Sequence, residues 1–232
     1  MLSLSPTELA AISLTLKLAF VTTCLLICLG TPIALWLSGT RSRLRSVVAA
    51  VVAMPLVLPP TVIGFYLLLA MGPNGPIGSV TTALNLPSLA FSFPGLVIGS
   101  MIYSLPFVVH PIQNALASVD YRLLESASAM GANPTQRFLK VSLPLAKSGF
   151  VTAAVLGFAH TIGEFGVVLM IGGNIPEQTQ VISVLLYEHV EAFDYAKANS
   201  LALLLIIFSF ISLLILYSAN VKAKGRDLRS PL

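Results

Sequence analysis

No aspartate, glutamate, lysine or arginine occurs between Arg45 and Asp120, or between Lys197 and Lys222. A helix crosses the hydrocarbon of a bilayer in about 20 residues, so the first gap holds two crossings and the second holds one. The stretch 18–40 is also uncharged, and 148–175 carries only Glu164. With 56% hydrophobic and 9% charged residues, the chain lacks the polar surface that a soluble domain needs. These runs predict an all-α polytopic membrane helix bundle of about five transmembrane helices, roughly 12–37, 47–71, 94–116, 149–171 and 198–219. The run 181–187 is a sixth candidate membrane element, too short to span alone.

Basic residues set the expected orientation, because they collect on the cytoplasmic side. Arg41, Arg43 and Arg45 lie in the first loop, and Arg122, Arg137, Lys140 and Lys147 in the third. Lys222, Lys224, Arg226 and Arg229 lie in the tail, so these groups take every lysine and arginine except Lys17 and Lys197. The second loop has no basic residue, and the fourth sets Glu177, Glu188, Glu191 and Asp194 against Lys197. The N-terminus is therefore expected outside and the C-terminus inside. The first six residues have no basic region and no small-residue cleavage site, which reads as a mature end and not a signal peptide. The net charge of +4 belongs to the expected cytoplasmic loops and reads as topology plus contact with anionic membrane lipid. Nothing separate points to nucleic acid. Cys24 and Cys28, four apart on the first span, read as small apolar packing residues. The chain has no repeats and no soluble domain, so residues 1–232 are expected to form one transmembrane domain.

The spans differ in texture. Pro55, Pro59 and Pro60 interrupt the second, and Pro94, Pro106 and Pro111 the third. Proline removes a backbone donor, and the carbonyls it frees need protein or water partners in lipid. Such helices are expected inside a bundle or along a cavity. The fifth span, almost wholly Leu, Ile, Phe and Ala, suits a lipid-facing helix.

Between the third and fourth spans runs a polar segment, residues 120–144, far longer than a connection requires. Asp120 can cap a short helix through Ala127 to about Met130, and Gly131 supplies a left-handed end. Asn133-Pro134 is a cap with proline at the first helical position, so a second short helix starts there and carries Phe138 and Val141 toward Leu143-Pro144. The bland reading is a helix lying on the membrane surface; the other is a wedge suited to a groove on a partner. The spacing Glu125-x-Ala127-x-x-x-Gly131, followed by Val141-x-Leu143-Pro144, resembles the coupling motif of ABC importer permeases. Ser126 stands where that family usually has a second alanine. The resemblance implies that Glu125, Ser126, Ala127, Gly131, Val141, Leu143 and Pro144 couple to a cytoplasmic ABC ATPase dimer. It further implies a type I importer fold, a single permease domain over 1–232 and a site in the bacterial cytoplasmic (inner) membrane.

Three more stretches narrow the resemblance: residues 54–65 around Pro59-Pro60, residues 72–78, and Gly163-Glu164-Phe165-Gly166 with Gly173-Asn174-Ile175-Pro176. Together they resemble the molybdate (and tungstate) permease subunits. Sulfate permeases share the Glu-Phe-Gly core, usually with a basic residue where this chain has Gly163. The implied role is an oxyanion permease that performs no catalysis, paired with a second copy of itself and fed by a periplasmic or extracellular oxyanion-binding protein. A sulfate/thiosulfate permease is the near alternative. An ATP-independent secondary anion carrier is the distant one, and it would want internal repeats or charges in several spans. No phosphate-binding Gly-x-x-x-x-Gly-Lys loop is present, so ATP hydrolysis is assigned to a partner.

Glu164 is the single acidic residue within an expected span, and an ionisable group there is by default a functional hypothesis. His160 lies one turn earlier, and one His with one Glu is too few for a metal site, so neither metal nor cofactor is expected. Glu164 reads either as packing at the bundle interior or subunit interface, against His160, Ser/Thr hydroxyls or freed carbonyls, or as lining the path. Thr61, Ser104, Asn114 and Thr152 are candidate lining donors for an oxyanion, each with the alternative of bonding its own helix.

Overall fold

The computed structural model describes residues 5–227; residues 1–4 at the expected mature end, and Arg229 of the basic tail, lie outside the described residues. Helix α1 (Pro6–Gly39) opens with a capping box in which Ser5 and Glu8 satisfy each other's backbone N–H. It is followed by α2 (Leu44–Ala53), a single 3-10 turn (Met54–Leu56), α3 (Pro60–Met71) and α4 (Pro76–Ala83). Then come α5 (Phe93–Ala117), α6 (Tyr121–Ala129), α7 (Pro134–Arg137), a π-turn (Phe138–Ser142) and α8 (Leu143–Leu145). The chain ends with α9 (Lys147–Gly163), α10 (Gly166–Gly172), α11 (Ile182–Glu191) and α12 (Tyr195–Asp227). No strand occurs among the described residues.

Among the described residues, three helices are long and apolar enough to cross a membrane: Pro6–Gly39, Phe93–Ala117 and Tyr195–Ser218. Two bent pairs bring the number to five if each counts as one span. The expected straight span 47–71 is broken, with Leu44–Leu56 and Pro60–Ala83 meeting at 107°. The cause is local: the residue before a proline is pushed out of the helical region, and Pro59, which precedes Pro60, sits at φ −56°, ψ 136°. The expected span 149–171 is also broken, because α9 stops at Gly163 and Glu164 is extended (φ −68°, ψ 132°). The freed Glu164 carbonyl accepts a hydrogen bond from the Ser183 hydroxyl of α11. The element expected at 181–187 is thus a short helix whose first turn is buried against the break. Thr15 of α1 accepts from the first backbone N–H of α11, Ile182, at 2.9 Å.

α1, α5 and α9 pack on one another through Leu26, Leu37, Val108, Val109, Ile112 and Ala153. The approach of α9 to α5 depends on Gly149, where a Cβ would fall 2.3 Å from the Ala115 Cβ and 2.8 Å from the Pro111 carbonyl oxygen. Gly149→Leu is expected to force these helices apart at a cost of at least about 1–3 kcal/mol. The check is the yield of monodisperse protein after detergent extraction, which should fall sharply; a wild-type yield would contradict the packing. On the far side, α10 sits against α3 and α5 through Val167 and Ile171.

α12 presents Ile206, Ile207, Phe210 and Leu214 outward, as its composition predicts for a lipid-facing helix. One expectation is corrected and another is narrowed. Cys24 and Cys28 are exposed free thiols on the outer face of α1 and not interior packing residues, because the buried stripe runs through Leu18, Thr22, Leu26 and Gly30 instead. The proline-rich second span takes the second of its two expected places: it is not interior within one chain, Val57 being 85% exposed with Phe65, Tyr66 and Leu69 also outward, but its Pro60 and Thr61 border a cavity.

Candidate functional site

The 120–144 segment folds from its own local signals. Asp120 accepts from the Arg122 N–H at 2.9 Å and starts α6. Gly131 (φ +87°) ends it with a Schellman pair, Ala132 N–H to the Ala127 carbonyl and Gly131 N–H to the Ser128 carbonyl. Asn133 and Gln136 form a reciprocal capping box for α7. Arg137 donates to the Ser128 hydroxyl at 2.8 Å and pins the second helix to the first. Of the residues carrying the motif, Ala127 is buried against this turn, Val141 and Leu143 are half-buried, and Glu125, Ser126, Gly131 and Pro144 are exposed. Tyr121, Leu123 and Met130 add exposed apolar surface, Met130 at 82%. A polar loop that offers apolar side chains to solvent has the character of a contact surface.

The Val141-x-Leu143-Pro144 end has a mechanical consequence that its spacing alone does not show. Pro144 has no N–H to give the Lys140 carbonyl, so the turn widens and the Leu143 N–H bonds back to Phe138. Past Ala146 the chain bends by 73° into α9. The α6–α7 wedge therefore connects to the α9 span through a kinked elbow.

The second constellation surrounds a pocket of about 420 Å³ bordered by Pro60 and Thr61 of α3, Tyr103 of α5, and His160, Glu164 and Phe165 at the α9–α10 break. Thr61, His160 and Glu164 are brought together there. Ser104 is not on its wall; it is fully buried behind His160, with its hydroxyl 2.9 Å from His160 Nδ1 and 3.2 Å from the Thr161 hydroxyl. Thr161 in turn donates to the Gly157 carbonyl. The arrangement in which every hydroxyl both donates and accepts runs Nδ1–H to Ser104, Ser104 to Thr161, and Thr161 to Gly157. Phe107 stacks on the imidazole at 3.9 Å between centroids, and Tyr103 lies 4.9 Å away. His160 is thus held in one orientation.

Glu164 is 3% exposed, and among the described residues no well-formed hydrogen bond reaches either carboxylate oxygen. No hydrogen bond joins Glu164 to His160, whose Nδ1 is taken by Ser104, and the neighbouring hydroxyl that acts on the carboxyl is that of buried Ser100, short of full hydrogen-bond geometry. Asn114 is exposed and Thr152 half-buried, and neither borders the pocket. Tyr103, Phe107 and Thr161 were not singled out from the sequence. Tyr103 and Phe107 share a helical face, four apart, and that spacing was the available signal.

Comparison with known proteins agrees with this architecture. Residues 27–226 match the model of the family described as binding-protein-dependent transport system inner membrane component. The molybdenum transport system permease protein ModB of Azotobacter vinelandii is 59% identical over 217 residues, covering 94% of this chain and 96% of that protein. A probable sulfate transport system permease protein, cysT of Anthoceros angustus, is 35% identical over 91% of this chain and 73% of its own length. Among solved structures, the inward-facing MetNI methionine ABC transporter superposes with a TM-score of 0.72 at 20% identity, over 93% of this chain and 99% of that one. That likeness speaks for the fold, and the family match, spanning both the wedge and the Glu164 break, speaks for more. The chain belongs to the inner membrane components of binding-protein-dependent transport systems, as a multi-pass permease of the inner membrane.

Proposed function

We propose that this chain is the membrane-spanning subunit of an ABC importer for molybdate, energised by a separate cytoplasmic ATPase and supplied by an external oxyanion-binding protein. The observation that carries the choice of cargo is the 59% identity to a molybdenum permease against 35% to a sulfate permease. Another molybdenum permease, from Haemophilus influenzae, is also only 35% identical, so it is the higher match that discriminates. The α6–α7 wedge, with Glu125, Ser126 and Gly131 exposed, is the surface that would enter a cleft on the ATPase. Orientation with the N-terminus outside follows from the basic loops and puts that wedge in the cytoplasm.

A functional unit of two copies accounts for two features. Five crossings are few for a complete path, and α3, whose Pro60 and Thr61 border the Glu164 pocket, exposes Phe65, Tyr66 and Leu69, which a second copy would cover. Thr61, His160 and Glu164 then face the shared path or the interface, with Ser104 holding His160. The test is uptake in proteoliposomes holding this permease, its ATPase and its binding protein. Labelled molybdate should accumulate only with ATP, and excess sulfate should leave that accumulation nearly unchanged. Equal competition by sulfate would move the cargo to the sulfate class, and accumulation without the ATPase would favour a carrier.

A further inference from the structure

Glu164 and Phe165 both border the pocket, yet neither is helical: Glu164 is extended and Phe165 lies at φ −125°, ψ −61°. In an unbroken helix the Glu164 carbonyl would accept from the N–H four residues on, that of Val168. Here it accepts from the buried Ser183 hydroxyl instead. The Glu164 N–H reaches the Thr161 carbonyl at 3.4 Å, a long bond, so Ser183 is the firmer of the two backbone holds. Four residues further along the same face of α11, the Tyr187 ring packs on the Phe165 ring at 5.0 Å between centroids. One face of α11 thus holds both residues of the break, Ser183 by a hydrogen bond and Tyr187 by ring contact.

The grip is anchored on the bundle. Val181, Ile182, Val184 and Leu185 are buried around Ser183, and Thr15, which takes the Ile182 N–H, donates its own hydroxyl to the Ala11 carbonyl at 2.7 Å. α11 is therefore tied at its first turn to α1, the helix on which α5 and α9 pack. What this hold does for the site follows from the carboxyl itself. No well-formed hydrogen bond secures its oxygens, so its place at the pocket wall is set by the backbone that carries it. The Ser183 bond fixes that backbone, because the direction of the carbonyl is the ψ of Glu164. Resting on the reading of Glu164 as a residue of the path, we propose that Ser183 is a positioning residue for transport: its hydroxyl keeps the helix broken between α9 and α10 and so holds the Glu164 carboxyl at the pocket wall.

The experiment is a double-mutant cycle on ATP-driven uptake of labelled molybdate in proteoliposomes holding the permease, its ATPase and its binding protein, with rates taken per inserted permease. S183A leaves a buried carbonyl without its donor and should lower uptake by at least about fivefold. S183C, close to serine in size but a weak donor, should fall between S183A and wild type. In the Glu164→Leu background, S183A should change uptake by less than about twofold, since no carboxyl remains to be misplaced and Phe165 keeps its contact with Tyr187. The thermal midpoint in detergent should fall in both backgrounds alike, because the carbonyl loses its donor in both. A merely structural Ser183 would lower uptake in both as well.

Wild-type uptake in S183A, or equal losses of uptake in the two backgrounds, would overturn the positioning role while leaving Glu164 in the path. Wild-type uptake in Glu164→Leu alone would instead take Glu164 out of the path, and the positioning role with it.

Discussion

Replacing Gly131 with proline is expected to abolish uptake while the protein still accumulates in the membrane. Gly131 sits at φ +87°, and its N–H closes the first helix on the Ser128 carbonyl. Proline fixes φ near −65° and has no N–H, so it fits neither requirement. The wedge would open at its apex, with nothing in the spans disturbed, because no side chain lies within 4 Å of where a Cβ would stand. A graded series makes the test quantitative. Asparagine tolerates the left-handed region and should keep most of the uptake. Alanine pays roughly 1–2 kcal/mol for that conformation and should fall between the two. Glu125→Lys complements the series from the other direction. Glu125 is exposed and makes no ion pair or side-chain hydrogen bond among the described residues, so reversing its charge leaves the fold alone. Loss of ATP-driven uptake in Glu125→Lys would therefore report a partner surface. Measured uptake equal to wild type in both Gly131→Pro and Glu125→Lys would remove the coupling role of the wedge.

The two constellations differ in how far local sequence determines them. The wedge is built from contacts no more than nine residues apart: Asp120 with Arg122, Gly131 with Ser128, Asn133 with Gln136, and Arg137 with Ser128. Caps and a left-handed glycine are signals that single residues carry, so both helices and the turn between them could be read directly. The Glu164 break could not. No proline marks it, and the apolar run through it reads as continuous helix. What stabilises the break is distant, chiefly the Ser183 hydroxyl on the Glu164 carbonyl and the packing of α10 between α3 and α5. Pro59-Pro60 announced an interruption of the second span but not its 107° angle, since that depends on where α3 finds its partner. Gly166 shows why: a Cβ there would stand 2.8 Å from the Pro60 Cβ, so the bend and the break are fitted to each other across more than a hundred residues.

Glu164→Leu is expected to yield a protein at least as stable as wild type that transports at least about tenfold more slowly. A buried polar group without partners costs roughly 1–3 kcal/mol, more if charged, and an apolar side chain of similar size removes that cost. Within one chain only the Ser100 hydroxyl acts on the Glu164 carboxyl, without full hydrogen-bond geometry, so contacts inside the chain give little reason for a carboxyl at this position. An intramembrane carboxyl that weakens the fold is retained for what it does, here beside Thr61 and the fixed imidazole of His160 at the wall of the pocket. Glu164→Gln separates two ways of acting. It keeps the shape and the hydrogen-bonding capacity while removing the acid, so uptake near wild type would assign the role to polarity at the break. Uptake as low as in the leucine variant would assign it to the carboxyl itself. The thermal midpoint in detergent and the uptake rate should therefore move in opposite directions for leucine. If they fall together, Glu164 is a structural residue, and the pocket wall it forms is part of the packing instead of part of the path.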